Sequence, residues 1–190
     1  MNDYRASLFK IPAKRLLNSK ELEFIDSVIA EYPEAISADN IRVFADMVGN
    51  KGHTFCPATF MGKEKSKGTF EQQQLFPLYF EGREVSFAEI ETRAESYGLP
   101  ILFAYDTFSP GSRRRFTVVF LNDVSIPHLK VAEIMSEALL MIFPEADPFS
   151  KDVTEIYHGG NKLLLFDESV PRINICTLMM NMCLYLKDNL

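Results

Sequence analysis

Within the segment LFPLYFEG, Leu75 to Gly82, Tyr79 and Glu81 stand two positions apart. The segment reads as a short buried strand, and residues i and i+2 of a strand point to the same face. Two carboxylates so spaced would grip a divalent cation through hard oxygen ligands. Here the first position is a phenol. Its ordinary pKa of ~10 keeps it protonated at neutral pH, and a neutral phenol is a poor ligand. The plain alternative for Glu81 is a strand-end carboxylate facing solvent. A second group of residues is cationic. In SPGSRRRF, Arg113, Arg114 and Arg115 flank the Pro110-Gly111 turn. The planar fork of donors on arginine suits phosphate. In a chain of net charge −6, three adjacent arginines at one hairpin mark either an anion site or a solvated turn. His158, just before Gly159-Gly160, is either a further phosphate contact or merely exposed. His53 and Cys56 have the spacing of half a zinc site, but no second pair exists to complete it.

The elements that must hold these groups follow from periodicity and caps. Asn18 to Tyr32 reads as a helix with Glu21 three residues after its N-cap and Pro33 as its stop. A second helix is expected within PEAISADNIRVFADMVGN, closing near Gly49. HTFCPATFMG is β-rich, and Lys63 to Gly68 is a basic turn. That turn either extends a basic surface or is an ordinary loop. Pro77 is awkward in a central strand and predicts a bulge or an edge. Ser86 and Glu89 form a capping box for a helix from Phe87 to about Tyr97, ended by Gly98. PILFAY (Pro100 to Tyr105) and RFTVVFL (Arg115 to Leu121) are strands joined through the Pro110-Gly111 hairpin. Ile126 to Phe143 carries the best helical stripe. KLLLFDE is a strand, and Pro171 opens a last helix through Leu186. The β–α–β–β–α–β order from Leu75 to Phe166 predicts an α+β domain of split βαβ, RRM-like layout, with helices packed on one side of the sheet.

Composition sets the outer bounds. At 190 residues with 47% hydrophobic content, one domain with a substantial core is expected. No apolar run approaches the ~20 residues of a membrane span, and the first fifteen residues lack the apolar core of a signal peptide. The predicted location is the cytoplasm. Three cysteines cannot all pair within the chain, which fits reduced thiols. Cys176 and Cys183 share a helical face and are expected to be buried. No P-loop, dinucleotide fingerprint or nucleophile elbow is present.

The stretch from Lys51 to Phe166 contains Thr107-Phe108-Ser109, Arg115-Phe116, the run FPEAD ending at Asp147, and Gly159-Gly160. In order and spacing these resemble the catalytic core of the archaeo-eukaryotic primase, or primase-polymerase, superfamily in its phage and mobile-element versions. The resemblance implies a core sheet bearing Glu81 and Asp147 as catalytic carboxylates that hold Mg²⁺ or Mn²⁺ for nucleotidyl transfer, whose two metals lie ~4 Å apart. It implies Ser109, Arg113, Arg114 and Arg115 as triphosphate contacts. Three positions depart from the pattern. Tyr79 replaces the leading carboxylate, Thr117 stands where a second arginine is usual, and Glu155 occupies a region that commonly carries a base. The chain then divides into a helical N-terminal part, 1–50, and a primase-polymerase-like domain, 51–190, ending in a helix, together as one compact unit.

What the resemblance implies for function is a degenerate domain. It binds nucleotide or nucleic-acid phosphates, DNA or RNA, without efficient polymerisation. Two other functions stay open at this level. One is an active primase-polymerase using Glu81 and Asp147, with Asp106 or another acid in place of the lost ligand. The other is an acidic interaction protein that binds and inhibits a host nucleic-acid enzyme, since an acidic surface meets basic grooves.

Overall fold

The computed structural model of the chain describes residues 3–5, 7–12, 35–37, 41–62, 64–82, 85–107, 114–169 and 171–189. The expected helix from Asn18 to Tyr32 lies outside them. Within the first fifty residues the described elements are strands β1 (Asp3–Arg5), β2 (Ser7–Pro12) and β3 (Ala35–Ser37), then helix α1 (Ile41–Gly49). The three strands were not expected. β1 pairs with β3 inside the N-terminal part, and β2 pairs with β4 (His53–Cys56), so one backbone ladder ties the N-terminal part to the domain.

The main sheet is five-stranded and antiparallel, in the order β5-β6-β8-β7-β9. Its strands are β5 (Ala58–Phe60), β6 (Phe70–Gly82), β7 (Phe103–Thr107), β8 (Arg114–Ile126) and β9 (Gly160–Phe166). Helix α2 (Phe87–Ser96) joins β6 to β7, and α3 (Leu129–Ile142) follows β8. These form two interlocked split βαβ units, one spanning β8 and the other spanning β7. The last helix, α4, runs from Ile175 to Asn189.

The capping box at α2 is present as predicted. The Ser86 N–H donates to Glu89 at 2.7 Å, and the Glu89 N–H donates to Ser86 Oγ at 3.3 Å. Gly98 ends this helix with φ 60°, a left-handed conformation that favours glycine. β8 reaches Ile126, so the third helix starts later than its apolar stripe alone indicates.

Strand alternation gives the sheet two apolar faces. One carries Phe76, Leu78, Phe80, Phe116, Val118 and Phe120, packed with buried residues of α2, α3 and α4. The other carries Leu75, Val119, Leu121, Phe103 and Tyr105, packed with Phe44 and Val48 of α1. Cys176 and Cys183 are exposed, contrary to expectation. α4 turns Leu178 and Asn181 inward, and the face seven residues apart that holds both cysteines points away. Among the described residues no helix is long and apolar enough to cross a membrane.

Candidate functional site

Pro77 shows how the site is opened. β5 pairs with β6 only between Phe70 and Gln73, so further along β6 the side away from β8 is an edge. The missing N–H of Pro77 falls there, where no ladder needs it. The carbonyl of Pro77 accepts from the Tyr157 hydroxyl at 3.2 Å. The next residue on that edge, Tyr79, receives the segment after α3. The Asp147 N–H donates to the Tyr79 carbonyl at 2.8 Å, and the Tyr79 N–H donates to Ser150 Oγ at 3.3 Å. FPEAD therefore docks beside β6 through its backbone. The Asp147 carboxylate caps the short 3₁₀ turn Pro148–Lys151, with Oδ1 accepting from the Phe149 N–H at 2.9 Å.

On the other side of β6 the register with β8 sets Tyr79 against Thr117 and Glu81 against Arg115. Thr117 in turn faces Tyr105 on β7. Cross-strand partners share a face, so Tyr79, Glu81, Arg115, Thr117 and Tyr105 all belong to the α1 face. Arg115 closes on Glu81 with two bonds to one oxygen. Nε donates to Oε1 at 3.1 Å and Nη2 at 2.6 Å. The side chains are 18% and 33% exposed respectively, so the pair is partly withdrawn from water. The Tyr79 hydroxyl lies 3.4 Å from Glu81 Oε2. Burial pushes the Tyr79 phenol up to about 12. The Arg115 charge works against that shift and the Glu81 carboxylate adds to it.

Asp106 does not join this face. Its register with Phe116, itself opposite Phe80, places it on the α2 face. It is not available to replace the missing carboxylate. Ser109 and Arg113 lie outside the described residues. Arg114 begins β8 opposite Gly82. The carbonyl of His158 accepts from the Tyr105 hydroxyl at 3.1 Å, which ties this residue to the sheet by its backbone. The glycines beside it answer to packing. A Cβ on Gly160 would overlap the Asp106 carbonyl, and one on Gly159 would overlap the backbone of Gly52 and His53.

The remaining candidates have structural roles. Cys56 is buried, its thiol donates to the Val153 carbonyl at 3.5 Å, and burial pushes its pKa up to about 12. A protonated core thiol is no zinc ligand. Lys65 donates to the Thr154 carbonyl at 2.9 Å and Lys67 pairs with Glu133 at 2.8 Å, so these two of the turn's three lysines are bound to their own chain, and Lys63 lies outside the described residues. Glu155 is half-buried. Its carboxyl is raised above the usual range by that burial, and Asp152 and Asp147 add to the shift.

These donors do not suit a divalent cation. The Tyr79 phenol is neutral, Glu81 Oε1 is held by a guanidinium, and Asp147 Oδ1 is spent on a backbone N–H. Among the described residues no group of three or more His, Cys, Asp or Glu is arranged to hold a metal ion. The side chains as they stand do not fit a two-metal site. Sequence inspection missed one feature. Phe149 is 71% exposed, an aromatic ring set out to solvent on the turn that Asp147 caps.

The fold is similar to that of the AEP domain of the primase-polymerase (PrimPol) of cyanophage S-2L. The TM-score is 0.52 at 8% identity, over 94% of this chain and 88% of that one. No family model and no curated protein matches the sequence. At this identity the likeness establishes a primase-polymerase-like α+β fold.

Proposed function

We propose that this primase-polymerase-like domain binds the phosphates of nucleotides or single-stranded nucleic acid and does not polymerise. The observation that carries the proposal is the Glu81–Arg115 bridge, at 2.6 Å. A carboxylate bound to a guanidinium is a weak ligand for Mg²⁺, and its neighbour on the same face, Tyr79, brings no charge. Phosphate recognition does not need those carboxylates. Arg113, Arg114 and Arg115 are consecutive in sequence, with β8 beginning at Arg114, and each can neutralise a phosphate oxygen with a planar fork of donors.

The experiment is binding of a labelled single-stranded oligonucleotide as a function of salt. Each contact releases condensed counterions, so log affinity falls with log salt by about 0.7 per phosphate contacted. Replacing Arg113, Arg114 and Arg115 together by Ala is expected to flatten that slope and to weaken all sequences alike, because phosphate contacts do not read bases. Equal binding by the triple variant, or no binding by the parent at moderate salt, overturns the proposal. The acidic-interaction function then takes its place.

A further inference from the structure

We infer that Arg115 occupies the role a divalent cation would fill, so that polyphosphate binding at this site requires no metal. The inference rests on the proposed phosphate-binding function and goes beyond it by naming the source of the positive charge.

The geometry is a matter of donors and charge. Arginine has five N–H donors. The two bonds to Glu81 use Nε and one hydrogen of Nη2, which leaves the Nη1 edge of the fork directed away from the carboxylate. Glu81 orients the guanidinium as a carboxylate orients a metal, by holding Nε and Nη2 on one oxygen. Arg115 is also constrained by its place in the ladder and by its limited exposure. A half-buried, pre-oriented guanidinium loses less side-chain freedom on binding than a solvated one. A metal ion placed at Glu81 would have to displace this cation or sit beside it against like-charge repulsion.

Metal and arginine predict opposite responses to the same change. If a metal on Glu81 held the phosphate, Glu81→Gln would weaken binding. If Arg115 holds it, Glu81→Gln removes a negative charge beside the anion, and the amide oxygen still accepts from Arg115.

The test is isothermal titration of the whole chain with ATP, and in parallel with inorganic tripolyphosphate, in excess EDTA and in excess Mg²⁺. Affinity in EDTA is expected to equal that in Mg²⁺ within about twofold for both ligands. Glu81→Gln should tighten binding in EDTA severalfold. Arg115→Gln should weaken it about tenfold or more, the loss expected for a charge-assisted contact. Circular dichroism on both variants establishes that the sheet is intact, and Glu81→Gln decides the question should Arg115→Gln fail to fold. Binding that appears only with Mg²⁺, or that Glu81→Gln abolishes, overturns the inference while leaving phosphate binding standing. Absence of binding in every condition overturns both. Binding of ATP but not tripolyphosphate also overturns it, since the base and not the phosphates would then supply the affinity.

Discussion

Arg115 stands directly across the β6–β8 ladder from Glu81 and holds its carboxylate at 2.6 Å. One residue pair thus determines what each partner is able to do. Glu81 has a permanent cation, and Arg115 has a fixed direction. Tyr79, next on the same face, adds a neutral phenol with its pKa pushed up to about 12 by burial.

Restoring a carboxylate should therefore be insufficient by itself. Tyr79→Asp places an acid two residues before Glu81, but the guanidinium remains. Mn²⁺ binding, followed by electron paramagnetic resonance, is expected to be weak in Tyr79→Asp. In Tyr79→Asp combined with Arg115→Ala it should be at least tenfold tighter, because the competing cation is gone. Equal Mn²⁺ affinity in the single and double variants would show that Arg115 does not control the site.

Phe149 is an exposed ring on a turn fastened to β6 by the Asp147 and Ser150 contacts. A base stacked on an aromatic face contributes about 1–3 kcal/mol. Phe149→Ala is expected to weaken oligonucleotide binding about fivefold or more and to leave the melting temperature unchanged, since the side chain is at the surface. Fluorescence anisotropy and thermal melting together check this. Unaltered affinity would exclude Phe149 from the binding surface.

Glu155 provides a pH signature. Its carboxyl is raised by burial, with Asp152 and Asp147 adding to the effect. A raised carboxyl means that the folded state prefers the proton. The group's contribution is fully favourable below its unfolded pKa of ~4.3 and is lost as pH rises through the folded value. Glu155→Gln should then raise the melting temperature at neutral pH and have no effect near pH 4. A variant less stable than the parent at neutral pH would contradict that sign.

Gly160 lies where β9 begins against β7, and an added Cβ meets the Asp106 carbonyl. Gly160→Ala is expected to cost about 2 kcal/mol or more in urea unfolding, as backbone must move to admit the methyl. A neutral outcome would mean that β9 shifts freely there.

Much of the architecture was legible because each element of the Leu75 to Phe166 run carries its own local signal. Ser86 and Glu89 cap α2, and Gly98 ends it. Pro77 called for a bulge or an edge, and β6 has a free edge there, where Asp147 docks. What the chain did not disclose depends on register between distant residues. Nothing local says that Arg115 falls opposite Glu81 and not opposite Phe80, yet that one residue of slip would move every side chain to the other face. The same holds for Asp106, which sits near the arginines in sequence but on the α2 face in space. Cys176 and Cys183 look buried in an apolar, Met-rich helix, because a helix apolar all round hides which stripe faces the core. The ladder of β2 with β4 joins segments about forty to fifty residues apart and has no signature in either.

The most direct measurement is template-dependent extension of a labelled primer by the purified chain, with nucleoside triphosphates and either Mg²⁺ or Mn²⁺. No extended product is expected with either ion, while the same preparation binds the nucleotide. Robust incorporation that Glu81→Ala abolishes would contradict the account, since it would require Glu81 to release Arg115 and serve as a metal ligand.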